Sequence, residues 1–145
     1  MAACEHIESI GQKPPFRYVD ELISIDAKAR EARFALYLNR ETSRYGTLDG
    51  LQSYLLIEAM AQSSGVLLRA LTVGEPGGYL VGLENTRLPE TVSSSQIVFH
   101  VTMKVAHPPH FRFLVQIIND SNCIAESEIQ IMSKRSFYEH PTPVY

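Results

Sequence analysis

The stretch that most constrains the fold runs from about Leu51 to Leu71. Its main part, "LLIEAMAQSSGVLLRAL" at residues 55 to 71, contains no proline, is too long for one strand and holds a single acid, Glu58. It reads as a helix. At about 100° per residue, Glu58, Gln62, Gly65 and Arg69 fall on one narrow stripe, and the rest of the cylinder is apolar or small. A helix that is apolar nearly all round is a buried one, so the rest of the chain must wrap it.

The flanking segments carry the strand period. In "AKAREARFALYLN" the composition favours helix, yet Ala32, Phe34, Leu36 and Leu38 alternate with Arg33, Ala35 and Tyr37, and the period predicts a strand. A further strand is expected near residues 18 to 25. Between this pair and the helix, "RETSRYGTLDG" is a loop. Asp49 at its end reads either as a helix N-cap, with Gly50 to Gln52 as the first turn, or as a carboxylate at a pocket mouth. Beyond the helix, "YLVGLE" is a short apolar strand. In "IVFHVTMKVA", Ile97, Phe99, Val101, Met103 and Val105 share one face, and His100, Thr102 and Lys104 the other. "HPPH" is a turn, and "FRFLVQII" puts Phe111, Phe113, Val115 and Ile117 on one side. "NDSN" is a hairpin loop and "CIAESEIQIM" the returning strand. The expected architecture is α+β: a curved antiparallel sheet wrapped around one long helix. It forms a single domain over residues 1–145, with a core at about 10–132 and an extended tail at 133–145. Such a sheet has edges to hide, which pairing of two subunits would achieve.

Composition excludes several functions. Thirteen basic and 16 acidic residues give a net charge of -3 with no basic stripe, which argues against a nucleic-acid partner. Cys4 and Cys123 form no metal or redox pair. His107 and His110 flank two prolines but lack a third ligand, so no metal site is expected. The start "MAACEHIESI" is too polar for a signal peptide, and no apolar run is long enough to span a bilayer. A cytoplasmic protein is the expectation.

Three stretches resemble the 3-hydroxyacyl-acyl carrier protein dehydratases of the hotdog fold. "PPFRYVDEL" is similar to that family's "YPFLLVDRV" at Pro15, Phe16, Val19 and Asp20. "LLIEAMAQSSGVL" is similar to "LILEAMAQAAGVL" almost throughout. "YLVGLENTRLPETV" is similar to "YFAGIDKARFRRPV" at Tyr79, Gly82, Arg87 and Val92. The resemblance implies an acyl-thioester pocket at a dimer interface, with a carboxylate on the central helix facing a histidine from the opposite subunit's loop. The carboxylate maps onto Glu58. The histidine belongs to the motif "GHFPG", which falls on Ser43, Arg44, Tyr45, Gly46 and Thr47, so Arg44 stands in its place. The histidine of the family's "PHRYP" is also absent, with Gln12 there instead. This departure is chemical as well as formal. Dehydration needs a base for the α-proton, histidine serves near neutral pH, and arginine stays protonated.

Each remaining candidate has a plain reading beside the functional one. Glu58 is either a solvated acid or the catalytic carboxylate, and a carboxyl half-buried in apolar surroundings would suit acid or base work. Gln62 reads as its hydrogen-bonding neighbour, and Arg69 as structural or a contact for the carrier. Arg44 and Tyr45 are loop surface or pocket residues. Arg87 is surface or a ligand for phosphopantetheine or carrier acids. Leu55, Val66 and Leu67 are core or pocket wall. The resemblance therefore implies a dehydratase-like lyase of fatty-acid or polyketide-type synthesis. It would act on, or bind, 3-hydroxyacyl groups carried by acyl carrier protein or coenzyme A. It would need no cofactor beyond the substrate's own phosphopantetheine. The chain would be a homodimer, or the histidine-less half of a heterodimer with a histidine-bearing dehydratase. The alternatives are a hotdog thioesterase using Glu58 and a non-catalytic acyl-binding subunit.

Overall fold

The computed structural model describes residues 19–37, 51–72, 78–89, 91–92 and 96–134. In chain order these form strands β1 (Glu21–Asp26), β2 (Glu31–Tyr37) and β3 (Leu51–Gln52), helix α1 (Ser53–Leu71), then β4 (Gly78–Arg87), β5 (Thr91–Val92), β6 (Gln96–His107), β7 (His110–Asn119) and β8 (Asn122–Ser133). Six strands build one antiparallel sheet in the order β1-β2-β6-β7-β8-β4, and β3 pairs with β5 in a separate two-stranded ladder.

The core is a set of rows running across the strands on one sheet face. Leu22, Phe34, Phe99, Ile117 and Ala125 are successive cross-strand partners from β1 to β8. A parallel row joins Met103, Phe113, Ile129 and Leu83. All except Leu83 are buried. Against this face α1 packs Leu56, Met60, Leu67 and Leu68, each fully buried. The period-2 alternation of β6, β7 and β8 thus meets the apolar side of α1, as the pattern of the sequence predicts. Val66 and Leu67 are core, and Leu55 is half-buried against it.

Three local expectations are corrected. Helix α1 begins at Ser53: Leu51 and Gln52 are strand, because their pairing with Val92 and Thr91 takes the backbone groups a first helical turn would have used. Gly50 to Gln52 is therefore not the first turn, and Asp49 lies outside the described residues. Val105 does not continue the buried row of β6. A register shift between Met103 and Val105 inserts Lys104 as an extra residue, and Val105 turns to the opposite face, 44% exposed. "YLVGLE" belongs to a ten-residue strand, β4, at the sheet's edge.

The β7–β8 hairpin closes through Asp120 and Ser121, with φ of 49° and 68°. Two consecutive left-handed residues make a type I′ loop, whose twist matches the strands it joins. That conformation costs a residue other than glycine roughly 1–2 kcal/mol, and glycine's greater entropy in the unfolded chain offsets part of the gain from replacement. Ser121→Gly is expected to stabilise the fold by about 0.5 kcal/mol in urea unfolding. A loss of stability would show that the loop is not type I′.

Candidate functional site

Glu58 lies in the second turn of α1, on the side of the helix turned away from the sheet, and it is exposed. Among the described residues no hydrogen bond or ion pair holds its carboxylate. The half-buried embedding anticipated for it is absent within the protomer. Along the same side come Ala61, Gly65 and Arg69, all half-buried. A Cβ built on Gly65 would meet nothing within 4 Å, so none of the described residues covers this side of the helix there. Gln62 departs from the stripe. It is only 8% exposed and engaged within the chain, so Ala61 takes its place on the open side. The two serines that follow are self-contained: Ser63 and Ser64 each donate to the Met60 carbonyl, at 3.0 and 2.8 Å, which satisfies both buried hydroxyls inside the helix.

Arg87 ends β4. Four residues further on, β5 pairs with β3, and β3 runs directly into α1, so Arg87 and the start of α1 lie at the same end of the fold. Its guanidinium is exposed, with Nη2 3.7 Å from the Cys123 thiol, and its Cα partner is Glu126 on β8. Nothing described joins Arg87 to Glu58. Arg44, Tyr45 and Asp49 lie outside the described residues.

The placement of the histidines decides what Glu58 can do by itself. His100, His107 and His110 are on the sheet face opposite α1. His100 alternates with the buried Phe99 and Val101, and its Nε2 lies 3.3 Å from Glu31 Oε2. His110 precedes the buried Phe111 and pairs with His107 across the hairpin. The sheet itself separates all three from Glu58. His6 and His140 are outside the described residues. No group of three or more His, Cys, Asp or Glu able to hold a metal ion occurs among the described residues. No helix there is long and apolar enough to cross a membrane.

One feature is invisible to a reading of "YLVGLE" as merely apolar. On β4, Tyr79, Leu80, Val81 and Leu83 are 38–49% exposed. Leu80 and Leu83 continue the core rows past Ile131 and Ile129, and among the described residues no strand lies beyond them. The signal in the sequence is that apolar residues occupy both alternation phases, a pattern of strands covered on both faces. The other edge, β1, also exposes Ile23 and Ile25. It is only six residues long and is flanked by Glu21 and Asp26, devices that discourage pairing.

No family model matches the sequence, and no curated protein does. Solved structures match over most of the chain. The dehydratase heterocomplex ApeI:P from Xenorhabdus doucetiae superposes with a TM-score of 0.75 at 14% identity, covering 92% of this chain and 95% of that one. A thioesterase from Haemophilus influenzae gives 0.66 at 9% identity, covering 83% and 82%. A hypothetical thioesterase protein from Streptococcus pneumoniae, solved with coenzyme A, gives 0.63 at 10% identity, covering 79% and 84%. The fold is the hotdog fold: an antiparallel six-stranded sheet with one helix packed on it. Identities this low establish the fold and leave the chemistry to the site.

Proposed function

We propose that the chain is a dehydratase-like subunit acting on 3-hydroxyacyl thioesters. In this reading it supplies a carboxylate, Glu58, to a site whose histidine comes from a second hotdog subunit. The observation that carries it is the separation just described. Glu58 stands on the open side of α1, and every described histidine stands behind the sheet. In this reading the base for the α-proton comes from another chain, since the position that would hold it here, Arg44, cannot accept a proton at working pH. The likeness to a subunit fold of a dehydratase heterocomplex supports the pairing. So does the β4 edge, where the core rows end with no further described strand beyond them. The acyl group is carried on acyl carrier protein or coenzyme A, and Arg87, at the same end of the fold as the start of α1, is the described cation placed to meet its phosphate or acids.

Thioester hydrolysis is the second reading, favoured by one observation. An exposed helix carboxylate without a histidine suffices to activate water, and one of the similar structures, from Haemophilus influenzae, is a thioesterase. Product identity separates the two readings.

The β4 edge gives a direct test of assembly. Val81→Lys together with Leu83→Lys places two charges on the edge, at residues 49% and 38% exposed, and alters only the outermost position of the core row that Leu83 ends. The double variant is expected to keep its circular-dichroism spectrum and to elute as a monomer in light-scattering chromatography, at concentrations where the unaltered protein is dimeric or partner-bound. Assembly as in the unaltered protein would exclude β4 as the interface.

A further inference from the structure

On the outer face of the sheet, at the end away from Glu58, a shallow pocket of about 180 Å³ opens between β4, β6, β7 and β8. Val81 and Val105 give it apolar walls, and His110, Arg112 and Gln130 give it polar ones. The strand register brings these side chains together. Arg112 has Val105 and Gln130 as its cross-strand partners, and His110 has His107 and Met132. The Lys104 bulge makes the arrangement possible, since it turns Val105 to this face. Met132 pairs in turn with Tyr79, and the Lys134 ammonium lies 5.3 Å from the centre of the Tyr79 ring. Exposed Lys104 and His107 complete the surroundings. A protein of net charge -3 thus gathers two lysines, two histidines and an arginine at one end of one face. Glu84 is the described acid paired with Arg112, and its cross-strand partner Glu128 accepts from Asn85 Nδ2 at 2.8 Å. Glu84 Oε2 is 4.0 Å from Arg112 Nη2, and Glu84 Oε1 accepts from Gln130 Nε2 at 2.7 Å. Arg112 and Glu84 are 41% and 48% exposed, so their attraction is weak and leaves the guanidinium able to engage a second anion.

We propose that this pocket is an anion site for phosphate monoesters, the phosphate meeting Arg112 and His110 and the ester's carbon body lying on Val81 and Val105. A guanidinium presents a planar fork of donors, and the adjacent imidazole adds a donor from a different direction, which suits a tetrahedral dianion better than a planar carboxylate. The volume is below the roughly 300–1,000 Å³ of pockets that enclose a whole drug-sized ligand, so the site takes the phosphate head and the first few carbons. It lies across the sheet from Glu58 and does not rest on the dehydratase reading.

The test is a titration of the full chain, followed by amide ¹H–¹⁵N spectra, with inorganic phosphate, with phenyl phosphate, and with sodium chloride at matched ionic strength. The expected result is saturable shifts at Val81, His110, Arg112 and Gln130 with both phosphates and not with chloride. Phenyl phosphate should bind more tightly, since its ring gains the valine walls. Arg112→Gln should weaken binding by about tenfold or more, the loss of one charge-assisted hydrogen bond. His110→Gln should weaken it less, and Glu84→Gln should strengthen it by about threefold by removing the competing carboxylate. Dispersed spectra of each variant show that it remains folded. Shifts that never saturate, shifts that chloride reproduces, or binding unchanged in Arg112→Gln would overturn the site. Equal affinity for the two phosphates would overturn its assignment to esters.

Discussion

Glu58→Gln is expected to lower the rate of water loss from a 3-hydroxyacyl thioester by roughly 10²–10⁴-fold when the chain is assembled with its histidine-bearing partner, the usual contribution of a positioned acid or base. The substitution keeps the shape of the side chain and removes its ability to exchange a proton. Glu58 is exposed and no described group is bonded to it, so stability should change little. The measurement is turnover by mass change of the carried substrate, with thermal unfolding as the control. Full turnover in a folded Glu58→Gln variant would remove Glu58 from the mechanism. A parallel loss of turnover and stability would show a structural role instead.

Phe99→Ala is expected to destabilise the protein by about 3–5 kcal/mol in denaturant unfolding, the range for truncating a buried aromatic. Phe99 is fully buried in β6, between Phe34 on β2 and Ile117 on β7, with α1 across the core. Its neighbours are held by ladders on both sides and cannot collapse into the space. Native stabilities of 5–15 kcal/mol leave little margin for such a loss. A cost below about 1 kcal/mol would mean that the row Leu22, Phe34, Phe99, Ile117 is not packed as described.

The elements legible in the sequence were those whose two faces differ. α1 follows from a long apolar run without proline, and β6, β7 and β8 follow from strict alternation ending in turn residues. The lapses have separate physical causes. Lys104 is an ordinary polar residue in an alternating pattern, and nothing in the pattern marks it as the extra residue that turns Val105 outward. The sequence pattern starts α1 two residues early, because the ladder between Leu51–Gln52 and Thr91–Val92 joins segments far apart in sequence. Helical angle alone puts Gln62 on the open side, but the angle does not say where around the helix the sheet closes. The exposed apolar β4 was read as short because local composition carries no information about what lies beyond an edge.

For the site, the resemblance pointed to Glu58 and to the loss of histidine at Arg44. The sheet then accounts for why the chain's other described histidines cannot substitute: alternation puts them on the face that α1 does not touch. Whether a site is complete is a property of the assembly, and one sequence records one side of it.

The most direct measurement is intact-mass spectrometry of acyl carrier protein loaded with a 3-hydroxyacyl group. It would be incubated with this protein alone, and with this protein co-purified with a histidine-bearing dehydratase subunit. No mass change is expected with the protein alone, and loss of one water with the pair, abolished by Glu58→Gln. Loss of water with the protein alone would mean that the chain carries its own base, and loss of the whole acyl group would mean a thioesterase; either result would contradict the shared site.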